Sequence, residues 1–264
     1  EDTIDIAGAG LAGAEAAAQL ARRGLRVRLF EMKPVKFSPA HRNPDFAELV
    51  CSNSLKSEGM AQASGLLQEE LRRLGSVVLE AADATRVPAG QALAVDRTLF
   101  ARRVTELVSA APGVEVVREE VLRIPRDRHF IAATGPLTSD ALAASLTELT
   151  GAEGLYFYDA MAPIVEGESI DRTVAFAASR YDKGGADYLN CPMTRDEFAR
   201  FFEALTSART VPTRGFEEEK VFQGCQPIEV LAARGEKTLR FGPMKPVGLV
   251  DPRTGTRPHA VVQL

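Results

Sequence analysis

The chain is expected to fold as an α/β protein, with a Rossmann-like dinucleotide-binding domain over residues 1–150 and an inserted α+β domain over residues 151–264. Three observations predict this. A glycine motif, Gly8-Ala9-Gly10-Leu11-Ala12-Gly13, stands between the apolar run Ile4 to Ala7 and the alanine-rich run Ala14 to Ala21, so it joins a strand to a helix. A second strand, Arg26 to Phe30, follows at once and ends in Glu31. From Gly151 onward, apolar segments with strand character occur without helices between them.

In a strand, turn and helix of this kind each glycine has a separate task. Gly8 permits the tight turn, Gly10 lets the backbone approach a pyrophosphate, and Gly13 lets the helix lie close on the strand. The first N–H groups of the helix then face the phosphates. Glu31 follows Gly13 by 18 residues, the distance at which a carboxylate accepts from a ribose 2′-OH, so FAD or NAD is preferred over NADP. The motif alone also fits a purely structural turn. The order strand, helix, strand, terminal acid selects the dinucleotide reading.

Residues 34–53 form a polar loop long enough to line a site. Ser64 is expected to cap a helix to Leu74, with Gly75 as its stop and Leu66, Leu67, Leu71 and Leu74 as its apolar stripe. Asp96 caps a helix to about Ser109 with Leu99, Phe100, Val104 and Leu107 on one face, and Pro112-Gly113 breaks it before the strand Val114 to Val117. His129 to Gly135 reads as a buried strand whose exit, Ala133-Thr134-Gly135, is small enough to pass close to a ligand, since ligands of doubly wound sheets lie beyond the carboxyl ends of strands. Thr138 begins a helix to about Thr150. In the second domain, strands are expected at Leu155 to Tyr158, Pro163 to Val165 and Val174 to Ala177. Thr194-Arg-Asp-Glu197 is a capping box opening a helix that carries Phe198, Phe201, Phe202 and Leu205. Pro227 opens a short helix to about Arg234, stopped by Gly235, and Ala260 to Leu264 has strand character that is expected to continue past Leu264.

Among the 264 residues, 45% are hydrophobic and 26% charged, ordinary proportions for a globular protein. Without an apolar run of about 18 residues or a basic leader with a cleavage site, neither a membrane span nor a signal peptide is expected, and the chain reads as cytoplasmic. Cys51, Cys191 and Cys225 suggest thiols rather than a disulfide framework, and no Cys/His spacing suggests a metal site. The net charge of −4 gives no global case for nucleic acid, but Arg234, Lys237, Arg240, Lys245, Arg253 and Arg257 outnumber Glu236 and Asp251 within one stretch. Charge alone leaves two readings of that strip, a solvated face or a surface for RNA phosphates.

Several strings in this chain have no generic structural reason to occur together: Phe46-Ala-Glu-Leu-Val-Cys51-Ser-Asn-Ser54, Val87-Pro-Ala-Gly90, Ala92-Leu-Ala-Val-Asp96, Ala133-Thr-Gly-Pro-Leu-Thr-Ser139, Asp187-Tyr-Leu-Asn-Cys-Pro-Met193 and Phe241-Gly-Pro-Met-Lys-Pro-Val-Gly248. With them the sequence resembles, over its whole length, the bacterial folate- and FAD-dependent tRNA (uracil-5-)-methyltransferase family TrmFO, itself related to the GidA flavoproteins. The resemblance implies transfer of a methylene from 5,10-methylenetetrahydrofolate to C5 of the T-loop uridine at position 54 of tRNA, with reduced FAD as hydride donor and NADH or NADPH as electron source. It implies a flavin over Gly8 to Gly13, Glu31, Thr134 and Gly135. Cys51 and Cys225 become the functional thiols, and Cys191 remains structural. One of the two adds to uracil C6 and the other serves as acid or base; the assignment between them stays open. Family members continue beyond the position matching Leu264, and that part completes the FAD domain and contributes to the folate site. The partners implied are tRNA and folate, with no membrane and no protein partner. Tyr156, Phe157, Tyr158 and Tyr181 read either as strand core or as stacking surfaces for an extruded base. A related wobble-uridine modification protein and a non-catalytic tRNA-binding fragment are the competing readings.

Overall fold

The computed structural model describes residues 3–151, 165–182, 185–210 and 226–264. The chain forms two compact units, Glu1–Val87 with Ala92–Phe157, and Pro88–Gln91 with Tyr158–Leu264.

In the first unit, β1 (Thr3–Ala7), α1 (Leu11–Arg22) and β2 (Arg26–Phe30) form the expected opening. They are followed by β3 (Ser54–Ser57), α2 (Ala63–Arg73), α3 (Val77–Ala84), β4 (Arg86–Val87), β5 (Ala92–Val95), α4 (Arg97–Ser109), β6 (Val114–Val117), β7 (Phe130–Ala132) and α5 (Asp140–Thr150). The main sheet has the order β6-β2-β1-β7 with every pair parallel. Its core joins Ile6, Val27 and Leu29 of the strands to Ala14, Ala17 and Ala18 of α1 and to Phe100, Val104 and Val108 of α4. Small side chains on α1 let that helix lie against the sheet. Asp96 starts α4 by accepting from the Thr98 and Leu99 N–H groups, each at 2.9 Å.

Several expectations are corrected here. α2 begins one residue before Ser64, with Gln62 at its N-cap, and the Ser64 hydroxyl instead donates to the Ser57 carbonyl. Its leucines do not form a buried stripe, since Leu66, Leu67 and Leu74 are exposed. Gly65 sets the orientation: a Cβ there would overlap the Gly59 carbonyl and crowd that of Glu58, so this face alone can approach the preceding loop. Gln68, one turn on, is buried and donates to Leu55 O at 2.8 Å. Leu99 also faces solvent, and α5 starts after Ser139 rather than at Thr138, whose hydroxyl turns back to Gly135 O. Neither α3 nor the antiparallel β3-β5-β4 sheet was foreseen.

The second unit contains β8 (Phe176–Ala177), β9 (Leu189–Met193), α6 (Arg195–Ser207), α7 (Ile228–Ala233), α8 (Glu236–Phe241) and β10 (Ala260–Gln263). Its sheet runs β10-β9-β8, antiparallel throughout, with Ala260 opposite Met193 and Gln263 opposite Asn190. Phe198 of α6, Ala232 of α7, Leu239 of α8, Met244 and Ala260 make the core. The expected strands at Leu155 to Tyr158 and Pro163 to Val165 lie, apart from Val165, outside the described residues. Among the described residues no helix is long and apolar enough to cross a membrane.

The capping box at Thr194 forms as expected: the Thr194 N–H donates to Glu197 at 2.8 Å, and its hydroxyl accepts the Glu197 N–H at 3.3 Å. Thr194→Ala is expected to lower the stability of this unit by about 1 kcal/mol, with Thr194→Ser close to wild type. Denaturant unfolding followed by circular dichroism checks this; an unchanged midpoint for the alanine variant would show that the box contributes nothing.

Candidate functional site

The carboxyl ends of β1, β2 and β7 open onto a cavity of about 330 Å³. Its floor is the glycine turn. Gly8 adopts φ +94°, and a Cβ there would come within 2.7 Å of the Ala133 carbonyl oxygen, so the turns after β1 and β7 touch through backbone. A Cβ on Gly13 would overlap the Gly8 carbonyl, which places α1 directly on its own entry turn. Gly10 is different: its φ of −71° suits any residue, and a Cβ there would meet nothing within 4 Å. It faces the open cavity. No side chain caps α1 at Gly10, so its first N–H groups remain available to an anion.

The backbone of Ala9 is held through both of its peptide groups, its N–H donating to Glu31 Oε2 at 3.0 Å and its carbonyl accepting the Ala47 N–H at 2.9 Å. Glu31 Oε1 accepts the Lys33 N–H at 3.0 Å. Glu31 as a residue is 6% exposed, and each of its carboxylate oxygens keeps capacity for a further donor such as a ribose hydroxyl. The loop beyond it folds against the cavity as a wall of Ala47, Glu48 and Val50. Buried Lys33 holds that wall, donating to Asp45 O at 2.5 Å and pairing with Glu48 at 3.5 Å. Glu48 also accepts from the Arg42 and Asn43 N–H groups. Arg118 lies over the Phe46 ring at 4.5 Å and donates to the Lys33 and Pro44 carbonyls. His41, also on the cavity, is pushed below the usual imidazole range by burial and by Lys33, so its neutral form is favoured.

The structure therefore gathers Gly8, Ala9, Gly10, Leu11, Ala12, Glu31, Thr134 and Gly135 around one cavity, with Gly13 behind its floor in the contact between helix and strand. Gly135, at φ +66°, turns the chain out of the sheet, and Thr134 Oγ1 lies 2.6 Å from Thr138 Oγ1. Cys51 follows the wall residue Val50 and is exposed, but it is not itself part of the lining. Cys225 lies outside the described residues. Cys191 sits on β9, where burial pushes its thiol up, away from thiolate. In the basic strip Arg234, Lys237, Lys245, Arg253 and Arg257 are exposed. Arg253 pairs with Asp251 at 2.8 Å, and Arg240 donates to His259 O while lying over the Phe241 ring. His41 and Glu48 bring the expected loop of residues 34–53 into the lining, whereas Lys33 and the segment Glu119 to Val121 are lining residues that sequence reasoning missed. No local pattern marks a lysine whose burial depends on partners 12 and 15 residues away.

The sequence pattern of the family described as GIDA, Glucose inhibited division protein A, matches residues 3–264. The chain belongs to that family. Among relatives of this GIDA-family chain, a protein of Anoxybacillus flavithermus named Methylenetetrahydrofolate--tRNA-(uracil-5-)-methyltransferase TrmFO is 62% identical, the match covering 99% of this chain and 60% of that protein. A protein of the same name from Bacillus subtilis is 61% identical over 100% of this chain and 60% of its own length. The chain thus spans about 60% of the length of the curated relatives it matches. A solved structure of Aquifex aeolicus GidA is similar over 50% of this GIDA-family chain and 23% of its own, with 18% identity and a TM-score of 0.38.

Proposed function

We propose that this chain belongs to a methylenetetrahydrofolate-dependent tRNA (uracil-5-)-methyltransferase that holds FAD over the glycine turn and forms 5-methyluridine in the T loop. The observation that carries the reading is the cavity itself. Its floor has room at Gly10 for a pyrophosphate, its edge carries a fixed carboxylate at Glu31 for a ribose, and its wall leads directly into Cys51. The name carried by relatives at about 60% identity supports the same reading.

In this scheme the first-turn N–H groups of α1 bind the pyrophosphate, Glu31 accepts from the ribose, and the small exit at Thr134 and Gly135 leaves space for the remainder of the cofactor. When bound, reduced FAD supplies a hydride. Uracil C5 is a poor nucleophile until a thiolate adds at C6, which makes C5 enolate-like and able to attack the methylene carried by folate. Cys51 and Cys225 are the proposed thiols for the addition at C6 and for the proton removal from C5 that follows C–C bond formation and departure of the folate nitrogen. Loss of that proton expels the C6 thiolate and leaves an exocyclic methylene, which the hydride would reduce to methyl. The electron source is NADH or NADPH. The exposed cations Arg234, Lys237, Lys245, Arg253 and Arg257, with Arg240, are proposed to meet tRNA phosphates.

Incubation with unmodified tRNA, methylenetetrahydrofolate, FAD and NADPH, followed by mass spectrometry of nuclease fragments, tests the reading. The expected product is 5-methyluridine in the T-loop fragment; modification confined to the wobble uridine would replace it with the related activity, and flavin-free tRNA binding would favour a non-catalytic role. Glu31→Ala is expected to weaken FAD binding about 10- to 100-fold, the range for loss of hydrogen bonds to a charged group. Titration by flavin fluorescence checks this, and wild-type affinity in the variant would remove Glu31 from the site.

A further inference from the structure

Tyr181 stands out in the second unit because its ring is held firmly yet left uncovered. It is 62% exposed, and its backbone lies in the left-handed region at φ 60°, ψ 24°, which bulky L residues rarely adopt. Contacts within the unit impose that shape. The Tyr181 N–H donates to the Gly248 carbonyl at 2.8 Å, and the ring packs on Gly248 so closely that a Cβ there would lie 2.9 Å from ring carbon Cδ2. Gly248 is thus the seat of the ring, and only a residue without a side chain fits beneath it. The preceding residue is anchored as well: Arg180 donates to the carbonyls of Lys245 and Val247 at 2.6 and 3.0 Å and to Gln263 at 3.3 Å. Gln263 in turn donates to the fully buried Asn190 at 3.0 Å. One face of the aromatic ring therefore rests on backbone tied to the core of the unit, while most of the residue meets solvent.

A strained, rigidly seated and exposed aromatic gains little from burial, which removes the reading of Tyr181 as strand core. Its surroundings indicate what it meets. Gly248 lies within the basic stretch from Arg234 to Arg257; Arg180 directly precedes Tyr181 and reaches the backbone carbonyl of the exposed Lys245, and Asp182 follows as the acidic neighbour. An aromatic platform beside cations is the arrangement that binds an unpaired nucleotide, the base stacking on the ring and the phosphates meeting the charges. We infer that Tyr181 is a stacking site for an unpaired base of the RNA substrate. This rests on the tRNA reading given above, and adds to it a residue that acts on bases in a loop rather than on phosphates in general.

The test compares Tyr181→Phe, Tyr181→Leu and Tyr181→Ala with the wild-type full chain. Two fluorescein-labelled RNAs serve as probes, a hairpin with an unpaired loop and a fully paired duplex of the same length. Leucine and alanine are expected to weaken hairpin binding on the order of 5- to 100-fold, the range for loss of one stacked base. Phenylalanine stays within about twofold, because it keeps the π face. Duplex affinity and the salt dependence of hairpin binding stay at wild-type values, since no phosphate contact is removed. Wild-type hairpin affinity in the leucine variant would overturn the inference, as would an equal loss on both RNAs with an unchanged melting temperature. Failure of the wild-type chain to bind either RNA would instead overturn the tRNA reading on which it rests.

Discussion

Gly13→Val is expected to leave no folded protein, whereas Gly10→Val folds and purifies without flavin. Both residues belong to one short motif, whose pattern assigns phosphate approach to Gly10 and helix packing to Gly13. Their surroundings separate them. The Cβ of any residue at position 13 would overlap the Gly8 carbonyl, a backbone atom that cannot move without shifting β1 or α1. That displacement would open the contact made by Ala14, Ala17 and Ala18, all within the main core. Ordinary overpacking costs about 1–3 kcal/mol, and a clash against backbone at the first helix of a parallel sheet exceeds that, within a total stability of about 5–15 kcal/mol. At position 10 the backbone is unstrained and the Cβ points into free space, so valine is accommodated and the cavity floor is raised where the proposed pyrophosphate would lie. Circular dichroism melting together with flavin absorbance after purification distinguishes the outcomes. A folded, flavin-free Gly13→Val would show that this glycine serves the ligand, and flavin retained by Gly10→Val would show that no phosphate approaches there.

Cys51→Ser is expected to abolish methylation while leaving FAD affinity within about twofold of wild type, because the side chain lies outside the cavity lining. The size of the loss assigns its role. If Cys51 adds to uracil C6, the loss is on the order of 10⁴-fold or more, as for other covalent nucleophiles. If it serves as general acid or base, the loss is about 10²- to 10⁴-fold. Cys191→Ser retains most activity, since that thiol sits in a strand where burial disfavours its ionised form. Single-turnover assays with tRNA prepared without modification check both variants; full activity in Cys51→Ser would remove that residue from the scheme.

What could be read from the sequence was what local chemistry decides. Asp96 and Thr194 start their helices through hydrogen bonds to residues at most three positions away, and the glycine turn carries its requirement in its own backbone. The leucines of α2 are the counterexample. Their helical spacing suggests a core face, but Gly65 sets which side of the helix can approach Gly59, and that contact is not a matter of periodicity. The sheet β3-β5-β4 was equally hidden, because Ser54–Ser57 is polar and pairs with residues about 40 positions away. α8 escaped because Gly235, at φ +111°, ends one helix and also stands at the N-cap of the next. Of the candidate site, the glycine turn and the strand ends were legible; the buried lysine that shapes its wall was not.

The doubly fastened backbone at Ala9 has a consequence for binding kinetics. Glu31 and Ala47 hold the floor of the cavity from opposite sides through bonds formed entirely within the protein. Immobilising a loop residue costs roughly 1–2 kcal/mol in conformational entropy, and along this turn that ordering is completed during folding. The proposed dinucleotide would thus meet a floor already ordered, so its association is expected to be limited by encounter and orientation rather than by rearrangement of this turn.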